Sequence, residues 1–183
     1  MAALLILVGA LAACKEPAAE PSTEARNAAP SKLESTCGNT GLLIASLSGA
    51  IDVHLDLQDH DLLCESMPRP NSEGVRLRFS SEVNGERLAI IIALPALEAE
   101  QTGDGFDSNV TMTVENSGRF FSTPNLDTCW SDIVTNEPLP PRAGVFLVAG
   151  SLSCVGPLGE INGDAFIDVQ NLRFSGIADW SAQ

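Results

Sequence analysis

The chain has 183 residues, 24 of them Asp or Glu and only 10 Lys or Arg, giving a formal charge of −14, with five cysteines and no tyrosine. That length suits a single domain. Its lysines, Lys15 and Lys32, both fall in the first fifth of the chain, so no basic face exists to hold a phosphate backbone, which argues against nucleic-acid binding.

The chain begins with an uncharged run, Leu4 to Ala13, too short for a bilayer core that needs roughly 20 apolar residues. It reads as the apolar stretch of a signal peptide. The run closes on Leu11-Ala12-Ala13-Cys14, which resembles the lipobox of bacterial lipoproteins. That resemblance implies diacylglyceryl transfer to Cys14, cleavage before it and acylation of the new amine. Met1-Ala2-Ala3 departs from the pattern by lacking the usual Lys or Arg. Lys15 follows the cysteine, not the Asp that commonly retains Gram-negative lipoproteins in the inner membrane. The implied location in such an organism is therefore the outer membrane, facing periplasm or cell surface.

From Lys15 to about Glu34 the chain is rich in Pro, Ala, Glu and Ser. It cannot bury enough surface to offset its chain entropy and reads as a flexible tether. Several acyl chains, each contributing about 0.8 kcal/mol per buried methylene, would make a durable anchor. The expected organisation is a signal peptide over residues 1–13, a lipidated cysteine and linker over 14–35, and a folded domain over 36–183. Residues before 36 account for only one unit of negative charge, so the domain itself carries −13.

With Cys14 assigned to lipid, Cys37, Cys64, Cys129 and Cys154 remain, an even number that suggests disulfides in an exported domain. Three connectivities are possible. Pairing Cys37 with Cys64 and Cys129 with Cys154 is preferred, because each pair brackets consecutive strand candidates and neither loop crosses the other. Closing a loop of about 25 residues stabilises by roughly 3 kcal/mol. No C-x-x-C spacing favours zinc.

From Thr36 onward the dominant period is two, with turn signals about every ten residues. This predicts an all-β, antiparallel β-sandwich, Ig-like or jelly-roll-like, of about eight or nine short strands. Ile51, Val53, Leu55 and Leu57 alternate with polar residues. Leu62 to Glu65 and Leu94 to Gln101 have room for a turn of helix. The clearest element is a hairpin, VRLRFSSEV and ERLAIIIAL about Asn84-Gly85, a dipeptide suited to a type I′ turn. Its register makes partner numbers sum to 169, placing Val75, Leu77, Phe79, Ile90, Ile92 and Leu94 on one face and Glu82 opposite Arg87 on the other. A loop with Gly103 and Gly105 precedes a strand with Val110, Met112 and Val114. Further strands are read at Arg119 to Phe121, Cys129 to Thr135, Val145 to Cys154, Ala165 to Val169 and Leu172 to Ile177. The seven Phe and two Trp read as core.

Three places hold chemistry-bearing residues. Period two sets Asp52, His54, Asp56, Gln58 and, if the strand continues, His60 on one side, and imidazole with carboxylate suits a divalent metal. Residues two apart on a strand are separated by about 6.6 Å, however, which favours a solvated face. The segment Glu160 to Leu172 resembles the calcium loop of dockerin modules through Asn162, Gly163, Asp164, Ile167, Asp168 and Leu172. Ala165 stands where that loop has a turn glycine, Asn171 where it ends on an acid, and Glu160 where it starts with Asp. A turn at Asn162-Gly163 leading into a strand is the preferred reading. Third, Gly103 to Asn109 reads as an ordinary polar loop.

No G-x-S-x-G, H-E-x-x-H, phosphate-loop or dinucleotide pattern occurs. The expectation is a non-enzymatic, lipid-anchored envelope module with no catalytic residue and no cofactor. It would bind or support an envelope protein or glycan, with the membrane contacted through the N-terminal lipid. A divalent-cation-binding module is the alternative, and a hydrolase with a cryptic site the third class.

Overall fold

The computed structural model describes residues 35–67 and 73–181. Cys14 and the segments read as signal peptide and linker, up to residue 34, lie outside the described residues.

The described chain is all-β and antiparallel. Its strands are β1 (Leu42–Gly49), β2 (Val53–Gln58), β3 (Leu63–Met67), β4 (Val75–Val83), β5 (Glu86–Leu94), β6 (Gly103–Val114), β7 (Arg119–Ser122), β8 (Cys129–Pro138), β9 (Val145–Cys154), β10 (Leu158–Glu160) and β11 (Phe166–Asp179). Eleven strands among the described residues replace the eight or nine expected. β1, β3 and β10 are additional, and the expected final pair is one continuous strand. In β1 the outward Leu42 and Ile44 are half-buried beside the inward Leu43, Ala45 and Leu47, so both faces carry apolar residues and the alternation is blurred. The segment read as a loop at Gly103 to Asn109 is the first half of β6. The single 3-10 turns fall at Asp59–Asp61 and Leu126–Thr128, not at the two helical sites expected.

Two long strands organise the sheet. β6 pairs with β8 at Gly103 and through Phe106 to Ser108, then with β7 through Thr111 to Val114. β11 pairs with β10 at Phe166 and Ile167, then with β9 through Leu172 to Asp179. Because β7 also pairs with β10 and β8 with β9, a closed ring of strands links β6 to β11. On their other flanks, β6 leads through β5 and β4 to β3, and β11 through β1 to β2. Asn171, at φ 53°, sits where β11 changes partner. The β1 register shifts there between Ile44 and Ser46, a one-residue bulge of the kind Asn tolerates in the left-handed region.

The sheet folds over on itself into two layers. Phe79 of β4 and Phe174 of β11 face each other with ring centroids 6.1 Å apart. A Cβ on Gly176 would lie 2.7 Å from the Phe79 ring, so glycine permits this close approach. The Asp179 N–H donates to Ser66 Oγ at 2.7 Å, tying the end of β11 to β3. Phe79, Ile90, Ile92, Met112, Phe121, Ile167 and Phe174 are all at most 1% exposed and form the centre of the core.

Both disulfides join the expected partners, Cys37–Cys64 and Cys129–Cys154. The second links directly opposed residues of β8 and β9. The hairpin register also holds throughout, from Val75 opposite Leu94 to Val83 opposite Glu86, about Asn84 (φ 54°) and Gly85 (φ 79°). Arg87 stands opposite Glu82 but reaches Glu115, at 3.8 Å, and Arg78 bridges Glu65 and Glu115.

Candidate functional site

The metal-type residues read from the sequence are not gathered. Asp52, His54, Asp56 and Gln58 are exposed on one side, as period two requires, but β2 ends at Gln58. His60 sits in the 3-10 turn, because the Asp61 carboxylate accepts the Gln58 N–H and turns the chain there. His54 Nδ1 lies 3.1 Å from Ser46 Oγ on the neighbouring strand. Asp52 accepts the Gly49 N–H, and Asp56 accepts from the Gln58 side chain. Asp164 is exposed in the Asn162-Gly163 turn, and Asp168 lies on β11 opposite Ser48. Glu160 is committed to Arg119. Among the described residues no group of three or more His, Cys, Asp or Glu side chains converges.

The structure instead assembles a surface that the sequence reading assigned to core. On β7 and β10, Phe121 and Leu158 point inward and are 0% exposed. Their neighbours Phe120, Ser122 and Gly159 therefore point outward. Across the strands, Thr113 stands opposite Phe120, and Ile161 donates its backbone N–H to the Phe120 carbonyl at 2.8 Å. In the adjacent row Thr111 faces Ser122, Ser122 faces Gly159, and Gly159 faces Phe166. Phe120, Ile161 and Phe166 are 46%, 53% and 48% exposed.

Neither row contains a charged side chain, on a domain carrying −13. The ordinary strand spacing and rise put the Phe120 and Phe166 backbones about 12 Å apart. Gly159, across from Phe166, and Ile161, across from Phe120, lie between them. A Cβ at Gly159 would meet nothing within 4 Å, and its φ lies outside the left-handed region. Neither packing nor backbone conformation requires a glycine, and its missing side chain leaves open space, a shallow trough, between Ser122 and Phe166 in its row. Hydroxyls line one side, with Thr111 Oγ1 and Ser122 Oγ 3.4 Å apart.

The rigid underside of this face is an ion pair. Arg119 Nε donates to Glu160 Oε1 at 2.6 Å, joining β7 to β10, and the guanidinium carbon lies 5.0 Å from the Phe121 ring centroid. The hydrogen bond from Arg119 holds the Glu160 carboxyl below the usual carboxylate range and raises Arg119 in turn. Glu160 Oε2 also accepts the Ala165 N–H, at 3.4 Å, which steadies the turn leading to Phe166.

A separate cleft of about 540 Å³ is lined by Glu73, Gly74, Pro95 to Ala99 and Trp180. It holds none of the candidate metal-binding residues read from the sequence. The missed residues Phe120 and Phe166 had a signal: Phe120-Phe121 and Phe166-Ile167 are adjacent apolar pairs on strands, and one member of each must leave the core. Comparison of the chain with family models, curated proteins and solved structures finds no match.

Proposed function

We propose that this chain is a lipid-anchored envelope protein whose β domain is a non-enzymatic binding module. The observation that carries the reading is the pair of outward rows without a charged side chain in which Phe120, Ile161 and Phe166 are exposed together. Large apolar side chains grouped on a surface mark sites of contact with another molecule. The two disulfides support an oxidising compartment outside the cytoplasm. The domain's charge of −13 disfavours contact with anionic headgroups, which leaves the lipid on Cys14 to hold the membrane while the domain binds elsewhere. In a Gram-negative cell, Lys15 after the lipobox-like cysteine supports the outer membrane as its location.

The test is fractionation with mass spectrometry of the native protein. The reading expects an N-terminal peptide beginning at acylated Cys14, and a Cys14→Ser chain that leaves the membrane fraction. A free Cys14 thiol in a chain that still fractionates with membranes would overturn it.

A further inference from the structure

We propose that the trough over Gly159 binds an uncharged glycan, laid across β7, β10 and β11 between the Phe120 and Phe166 rings. The inference rests on the binding-module reading and names the partner of that same face. A sugar ring offers an apolar C–H face that packs on a phenyl ring and a rim of hydroxyls that exchange hydrogen bonds with neutral side chains. This surface supplies both: two half-exposed phenylalanines stand on either side of the open position at Gly159 and the apolar Ile161, with Thr111 and Ser122 hydroxyls on one side.

Charge narrows the partner. An anionic polymer or headgroup is repelled by a domain of −13, and so is a second equally acidic copy of this chain. A cationic partner would be drawn to the carboxylates around the face, not to the face itself. A neutral polymer meets no penalty. Protein partners are favoured less because the anchoring residues of protein interfaces are enriched in Trp, Tyr and Arg, and the two rows contain none of them.

Gly159 gives the inference its sharpest handle. Since a Cβ there has open space and no backbone conflict, Gly159→Leu is expected to fill the trough while leaving the fold intact. The experiment is isothermal titration of the full chain carrying Cys14→Ser with cellohexaose, acetylated chitohexaose and, as the anionic control, hexagalacturonate. Thermal melts verify each variant's fold. The expected result is binding of at least one neutral hexasaccharide, weakened about tenfold or more by Gly159→Leu and by Phe166→Ala, with no binding of the anionic one. Absence of heat with both neutral sugars at millimolar concentration would overturn the glycan, as would binding indifferent to Gly159→Leu. Sedimentation showing a dimer that Gly159→Leu dissociates would assign the face to self-association instead. None of these results depends on Cys14, so they fail separately from the anchoring claim.

Discussion

Phe120 of β7 and Phe166 of β11 stand on the same outward face, on either side of β10, with Gly159 and Ile161 between them. Phe121 and Ile167, each one residue further along, are 0% exposed in the core beneath. The two adjacent apolar pairs thus divide their members between stability and surface, and substitutions should separate the two roles.

Phe174→Ala removes a ring that is 1% exposed and faces Phe79. A cavity of this kind should cost about 3–5 kcal/mol. Phe120→Ala, on the outward face, should stay within about 0.5 kcal/mol of the parent. Urea unfolding of the two variants side by side measures the contrast.

Glycines at two positions should respond oppositely. Gly159→Ala should stabilise the domain by about 0.5–1 kcal/mol, because the glycine adds freedom to the unfolded chain and its native conformation suits alanine. Gly49 has φ 108°, and a Cβ there would lie 2.5 Å from the Phe166 carbonyl oxygen. Gly49→Ala should therefore destabilise by more than about 1 kcal/mol, as measured by thermal unfolding.

The Arg119–Glu160 pair predicts an acid effect with a definite sign. Glu160 titrates lower in the folded chain than in the unfolded one. Its contribution is complete above the ordinary glutamate value, about 4.3, and is lost as pH falls through the lowered folded value. Glu160→Gln should be less stable than the parent at neutral pH, with the gap closing in acid. Denaturant unfolding across pH reads this difference.

Each disulfide closes a loop of similar length, with separations of 27 and 25 residues. Replacing either pair by alanine should cost about 3 kcal/mol in the chain-entropy account. Loss of Cys37–Cys64 should also raise hydrogen exchange in β3, which among the described strands pairs only with β4. Mass-resolved exchange tests that locality.

The elements legible in the sequence were those fixed by local chemistry. Asn84-Gly85 set a turn, the turn set a register, and alternation from Val75 to Leu94 agreed with it at every pair. The cysteine pairing was legible because both bridges span consecutive strands. Long-range pairing was not, since nothing near Gly103 or Phe166 says that β6 and β11 each serve two partners along one flank. Nor did local pattern reveal that β2 stops at Gln58, where Asp61 captures its N–H, leaving His60 off the strand. The outward face was half legible: adjacent apolar residues announced that one must be exposed, but only the tertiary register brings Phe120, Ile161 and Phe166 together. Gly159 carried no signal, because its meaning lies in what surrounds it.

The central claim is that this face is occupied in the envelope. Radical footprinting of intact envelopes and of the purified Cys14→Ser chain compares it directly with other exposed apolar residues. The account predicts that Phe120, Ile161 and Phe166 are protected in the envelope while Leu63 and Val134, exposed elsewhere at 50% and 74%, are labelled equally in both. Equal labelling of Phe120 and Phe166 in the two preparations would contradict it.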